Sequence, residues 1–317
     1  MLELNNRLVF YYEFTIDSMP SPDKPLKEFP FEYVLERIEP AFKLGNAECL
    51  IGAKEDACVR IQAMSVDEAN EAVTFLVNFT DEKLANPTLQ KIHSRHLRKV
   101  KKDHDEGLAV SIHIVLSTIK NTYGNYIGLV EYIPGLSKYK YLRLFNSLFR
   151  KYCTDVVLDE KTKKTRHCYP KIDSAILEGD AVADALQDKP LSGVELIRYD
   201  HESIDMDEED DTLISREVLF LKPKDKLFAN EATSWIHKCA QRGSHKNYSH
   251  MRIKFKNTDG KDATTTVSTA EVGGGELYFG KKRLISFNTP LDQGSEQIHN
   301  ELSEDMKLLL LEEMAVN

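Results

Sequence analysis

The 317-residue chain lacks any apolar run long enough for a helical membrane span. Its richest stretch, Leu108 to Ile119, is interrupted by His113 and falls short of the roughly 20 residues a span needs. It lacks paired cysteines: Cys49, Cys58, Cys153, Cys168 and Cys239 are odd in number, widely spread and nowhere spaced CxxC. Reduced, mostly buried thiols are expected rather than a disulfide scaffold. With only 15 Gly and 11 Pro, and with 41% hydrophobic residues, collagen-like and wholly disordered classes are excluded. The first residues, Met1-Leu2-Glu3-Leu4, lead into a polar Asn-Asn-Arg without the basic, apolar and small-residue regions of a secretory signal, so the expected address is cytoplasmic.

Signatures of catalysis are lacking too. There is no GxSxG, and no Cys has a recognisable nucleophile context. Gly273-Gly274-Gly275 is followed by Glu276 and a strand-like Leu-Tyr-Phe, not by the Lys-Ser/Thr and helix of a phosphate loop, so it reads as a turn. A metal-dependent nuclease needs carboxylates and a lysine on adjoining strands. The acid-x-Lys triplets at Asp81, Asp159, Asp259 and Asp305 all fall in turns, loops or helix surface. His93, His96, His104 and His113 lie near one another, yet no pair has the i, i+4 spacing of a helical zinc motif. The first three read as solvated helix surface, and His113 as a satisfied sheet histidine. No catalytic residue, metal or cofactor is expected.

What is present is charge, unevenly placed. The net charge of −9 argues against a nucleic-acid protein only while its location is ignored. Between Arg198 and Asp211 lie eight acids and one base; without that segment 41 bases face 43 acids. The acidic stretch reads as a solvated linker. An alternative is that it occupies a basic surface of the same chain until displaced.

The organisation is α+β in two parts. Strands are expected at 7–16, 47–53, 58–64, 71–79, 107–118 and 126–133, the fifth with one buried face. Helices are expected over 31–42, from Ser137 to Tyr152, and from Ile172 to Leu186. Strand 191–197 precedes the acidic stretch. Beyond it come strand 215–221, helix 228–240, strands 248–256 and 263–268, a strand pair within 277–287, and a final amphipathic helix carrying Ile298, Leu302, Met306, Leu309 and Leu310 on one face. The expected division is a strand-rich N-terminal α+β domain, 1–199, an acidic linker, 200–212, and a smaller mixed C-terminal domain, 213–317, ending in that helix. Its apolar face fits either the chain's own core or a second protomer.

Basic residues gather in several places. Lys91, Arg95, Arg98, Lys99, Lys101 and Lys102 form one cluster. Lys222, Lys224 and Lys226 follow a strand, and Lys238, Arg242 and Lys246 sit on and after the next helix. On the strand after that, Arg252, Lys254 and Lys256 project to one face, about 7 Å apart, while Met251, Ile253 and Phe255 pack the other. Such a row suits a phosphate backbone as well as it suits water.

Here the C-terminal third resembles the lambdoid phage exclusion protein RexA and its relatives. The shared features are Leu221-Lys222-Pro223-Lys224 after a strand, a basic helix, and Tyr248 through Asp259-Gly260, with an aromatic-Ser, alternating apolar positions, two basic residues two apart and an acidic turn ending in Gly. The remainder is similar to prophage-encoded proteins through Glu106-Gly107-Leu108-Ala109-x-Ser111-x-His113. His250 departs from the family, which has an acid there.

The resemblance implies a dimeric protein that binds double-stranded DNA with little sequence preference, acting in phage exclusion or anti-phage defence, with Lys254 and Lys256 on the family's DNA-contacting pair. Together with the residue pattern it ranks Lys254, Lys256 and Arg252 first, Lys222, Lys224 and Lys226 next, and Lys238, Arg242 and Lys246 as flankers. The expected partners are double-stranded DNA and a second copy of the chain, with a membrane or effector protein left open. Two other readings stand beside it: a metal-dependent nuclease or other effector enzyme, and a protein-interaction module without nucleic-acid binding.

Overall fold

The computed structural model describes residues 3–20, 25–52, 55–159, 163–181, 186, 190–198, 217–256, 262–269 and 278–316. The chain divides into two units, Met1–Leu177 with Lys282–Asn317, and Glu178–Lys281. Each is α+β. Among the described residues no helix is long and apolar enough to cross a membrane.

The first unit is built on one antiparallel sheet. Its strands are β1 (Asn6–Met19), β2 (Glu48–Ile51), β3 (Ala57–Asp67), β4 (Ala72–Asp81), β7 (Leu108–Lys120), β8 (Tyr126–Tyr132), β9 (Asp155–Asp159) and β10 (Lys164–Ile176), in the order β2-β3-β4-β7-β8-β1-β10-β9. A hairpin of β5 (Thr88–Gln90) and β6 (Leu97–Lys99) interrupts the path from β4 to β7. The first half of β1 pairs with β17 (Lys282–Ser286) and the second half with β10. That pairing returns the end of the chain to its beginning.

Alternation assigns the residues of each strand to two faces. One face carries Phe14, Phe75, Val77, Ile112, Ile114 and Leu116 against α1 (Phe31–Lys43) and α2 (Lys138–Tyr152), where Phe75 meets Phe145 edge-on at 5.2 Å. Space there is tight: a Cβ on Gly128 would collide with Leu116 and with the Phe14 ring 2.7 Å away. The other face carries Val9, Tyr11, Val115, Ile127 and Leu129 against Leu302, Met306 and Leu310 of the C-terminal helix, α4 (Asn300–Val316). Each of those three helix side chains is fully buried and stabilises the fold by about 1.5–3 kcal/mol. In α4 the face expected from the sequence is the one that packs, and it packs within its own chain.

Four elements differ from expectation. The strand 107–118 was expected to bury one face; β7 is buried on both from Val110 to Ser117, because α4 and the segment before it cover the second. The helix expected from Ile172 is strand through Ile176, with Cys168, Pro170, Ile172 and Ser174 buried at alternate positions. The strand pair expected within 277–287 exists as two strands that do not pair: β16 (Tyr278–Gly280) pairs with β11 (Glu178–Ala181), and β17 with β1. The helix surface expected around His93 and His96 is the β5–β6 hairpin.

The second unit holds β11 and β16, and a four-stranded antiparallel sheet in the order β13 (Glu217–Leu221), β12 (Leu191–Arg198), β14 (His250–Lys256), β15 (Asp262–Ser268). Helix α3 (Ala229–His245) lays Ala232, Ile236, Cys239 and Ala240 over Val194, Leu196, Met251, Ile253 and Phe255. The division therefore falls at 177/178 and 281/282 rather than at 199 and 213, and α4 belongs to the first unit. The acidic linker expected at 200–212 lies outside the described residues.

Candidate nucleic-acid interface

The two units use charge differently, and the first unit shows what committed charge looks like. Arg7 on β1 and Glu131 on β8 face the buried side of the sheet, where Arg7 Nε lies 2.7 Å from Glu131 Oε1, with both side chains at most 1% exposed. Glu131 Oε2 accepts from His113 Nδ1 at 2.7 Å and from the His113 backbone N–H at 2.9 Å. His113 Nε2 in turn accepts from the backbone N–H of His299 at 2.9 Å, which fixes the hydrogen on Nδ1. Arg7 also donates to the carbonyls of Glu3, Asn6 and Leu291. Nearby, Ser111 Oγ accepts from the Ser295 N–H at 2.7 Å, and Asn78 donates to the Ser295 carbonyl at 3.1 Å.

These groups all serve one purpose: they bind the irregular segment 287–299 to the sheet and so deliver α4 to its place. The strap's backbone groups that turn toward the sheet need partners, and the polar side chains on β1, β4, β7 and β8 provide them. His113 is a satisfied sheet histidine, as the sequence suggested, although Arg7, Glu131 and the strap they hold were not foreseen. The residues lining the cleft of about 480 Å³ between this strap and the start of α4 are likewise tied to one another. Glu301 accepts from the N–H groups of Asn288 and Thr289 and from the Thr289 hydroxyl, which holds its carboxyl below the ordinary range.

The thiols are unpaired among themselves: all five are free, and burial pushes Cys153 up to about 12 and Cys239 to about 11, the direction that makes a thiol inert. Among the described residues no three His, Cys, Asp or Glu side chains group as metal ligands.

The second unit carries its charge on the surface. From Glu217 to Lys256 nine basic residues face three acids, a formal +6. The structure separates those nine into two kinds. On the open face of the sheet, register places Glu195 of β12 directly opposite Arg252 of β14. Glu195 Oε1 lies 2.5 Å from Lys254 Nζ, and Oε2 lies 3.1 Å from the Arg252 guanidinium. The hydrogen bond from Lys254, with Arg252 beside it, holds the Glu195 carboxyl below its ordinary value. The Lys254 ammonium also sits 5.3 Å from the centre of the half-exposed Phe220 ring. That ring is admitted because residue 193 is glycine: a Cβ there would fall 2.8 Å from two ring carbons and from the Leu221 carbonyl oxygen. The row that ranked first from sequence is thus a paired cluster, with Arg252 and Lys254 sharing one carboxylate. The side chain of Lys256 lies outside the described residues.

The other six cations stand differently. Lys222, Lys224, Lys226, Lys238, Arg242 and Lys246 are all exposed, and among the described residues none of them makes an ion pair. Helix periodicity explains the second group: with Ala232, Ile236, Cys239, Ala240 and Gly243 turned inward, Ser234, Lys238, Gln241, Arg242 and His245 share the solvent face of α3. Arg242, in the last turn, also complements the helix dipole, worth about 0.3–1 kcal/mol. The structure brings two of the sequence groups together. Lys226 and Lys238 line one open cleft of about 620 Å³ with Asp225, Leu227, Glu231 and Trp235. Asp225 and Glu231 share the cleft without an ion pair to either lysine, and further exposed cations continue beyond it at Lys222 and Lys224 and along α3 to Lys246.

Sequence reasoning missed Glu195, Phe220 and Trp235. The signal for Glu195 was present: it is the one acid in the apolar strand Leu191–Arg198, and a strand neighbour of a basic row invites an opposite charge. A scan against protein-family models finds no match for this chain, and a search of curated proteins finds no significant relative.

Proposed function

We propose that this chain binds double-stranded DNA without sequence preference, through the exposed cations of its second unit, as part of a cytoplasmic phage-exclusion or anti-phage defence function. The observation that carries the reading is the set of six exposed cations that make no ion pair among the described residues, Lys222, Lys224, Lys226, Lys238, Arg242 and Lys246. Unpaired surface ammonium and guanidinium groups bind phosphates by releasing condensed counterions, which gives affinity and no base readout. Arg252 and Lys254 serve as a secondary surface on this reading, because their first partner is Glu195. The Trp235 edge of the cleft adds an aromatic surface between Lys226 and Lys238. For a homodimer, the surface this reading offers is the outer side of α4, where Leu308 and Leu311 remain exposed.

The test is binding to a labelled duplex of arbitrary sequence across a salt series, with and without Mg²⁺. The reading expects affinity that falls steeply with salt, is indifferent to sequence and leaves the duplex intact. Cleavage with Mg²⁺ would favour a nuclease. Absence of binding at low salt would favour a protein-interaction module and end the DNA reading.

A further inference from the structure

The most concentrated positive charge of the molecule lies elsewhere, in the hairpin between β4 and β7. From Thr88 to Lys102 there are six basic residues and no acid, with His93 and His96 among them. Nearly every residue from Glu82 to Glu106 is exposed; Ile92, near the turn, is 94% exposed and Leu97 55%. The hairpin is ordered by its own bonds. Three register pairs join β5 and β6, the Ser94 N–H closes the turn on the Lys91 carbonyl at 3.0 Å, and Gln90 reaches the Ser94 carbonyl at 2.6 Å. Its root is fixed by Lys102, whose ammonium donates to the carbonyls of Glu82 and Leu84, and by the Val100 N–H on Pro87. The other five cations, Lys91, Arg95, Arg98, Lys99 and Lys101, make no ion pair among the described residues.

We infer that this hairpin is a second DNA contact, a two-stranded arm that enters the major groove of B-form duplex DNA. The face assignments favour this ligand. Cross-strand partners share a face, so Leu89 and Arg98 lie on one side of the ribbon, while Thr88 with Lys99 and Gln90 with Leu97 lie on the other. Each side therefore carries a cation. A ribbon lying on a membrane needs one side free of charge so that it can enter the apolar layer. A groove walled by phosphates on both sides needs cations on both. The major groove of B-form DNA, about 12 Å wide, admits a two-stranded ribbon between its two phosphate walls. The A-form groove of duplex RNA is too deep and narrow for side chains to read. The site is separate from the cations of the second unit and shares with that reading only the ligand class.

The experiment compares wild type, Arg95→Glu/Arg98→Glu/Lys99→Glu, and Lys226→Glu/Lys238→Glu on duplex DNA, on duplex RNA of the same sequence, and on phosphatidylserine–phosphatidylcholine vesicles. Losing three phosphate contacts lowers the slope of log affinity against log salt by about 2.7, so that between 50 and 200 mM wild type loses about 40-fold more affinity than the variant does. The arm variant is expected to bind DNA more weakly at low salt with that flatter salt dependence, to change little on RNA and to keep an unchanged unfolding midpoint, since none of the three residues touches a core. Methylating guanine N7, which lines the major groove, is expected to weaken wild type. DNA binding unchanged in the arm variant would overturn the inference, as would equal losses on RNA, or a loss confined to vesicles. A loss in the arm variant alone sinks the second-unit surface and keeps the arm; a loss in the second-unit variant alone does the reverse.

Discussion

The buried ionisable groups of the first unit and the exposed cations of the second make opposite use of polar side chains. Arg7, Glu131 and His113 are withdrawn from water and saturated by one another and by the backbone of segment 287–299. Lys222, Lys224, Lys226, Lys238, Arg242 and Lys246 keep their hydration and have no ion-pair partner among the described residues. A buried charge without its partner is destabilising, so the first group must be matched inside the fold. A surface cation has no such constraint and remains available to an external anion. Arg252 and Lys254 fall between the two, half-exposed and shared with Glu195.

The largest effect expected from this contrast comes from unmatching the buried set. Glu131→Ala leaves Arg7 without its counter-charge and is expected to cost about 3–5 kcal/mol, read by urea unfolding, with DNA affinity per folded molecule unchanged. Met306→Ala, which opens a cavity under α4, is expected to cost about 2–5 kcal/mol, also without an effect on DNA. Reduced DNA affinity in either folded variant would break the separation of roles. Lys226→Glu/Lys238→Glu should show the converse, with stability within about 0.5 kcal/mol of wild type and a salt slope smaller by about 2.

The smallest effect belongs to the intermediate group. Glu195→Gln removes the carboxylate that Arg252 and Lys254 share and is expected to raise DNA affinity severalfold at low salt. Because the Glu195 carboxyl is held below its ordinary 4.5, the stability its ion pairs contribute is fully present above that value and is lost as pH falls through the lower folded value. Wild type should therefore lose an increment of acid stability there that Glu195→Gln lacks, measured as the difference in unfolding midpoint between the two across acid pH.

What the sequence made legible follows the same line. The apolar period of α4 was plain in Leu302, Met306 and Leu310, yet an amphipathic face does not say what it covers, so the helix was assigned to the wrong part of the chain. The end of β10 from Ile172 was expected to be helix; the strand's real period, Cys168, Pro170, Ile172 and Ser174, is masked by a proline and a serine on the buried side. The basic positions were visible as residues; which of them pair within the fold was not. Glu195 neutralises part of the β14 row from another strand, a relation that only register reveals. Arg7 and Glu131, the partners that satisfy His113, were beyond reach for the same reason, since three strands and a returning segment bring the three together.

The most direct test of the central claim is the salt dependence of duplex-DNA binding measured side by side for wild type, Lys226→Glu/Lys238→Glu and Arg252→Glu/Lys254→Glu. If unpaired cations carry the binding, the slope falls by about 2 in the first variant and by clearly less in the second, where Glu195 already holds both charges. Wild-type slopes in both variants, or a larger fall in the second, would contradict the account.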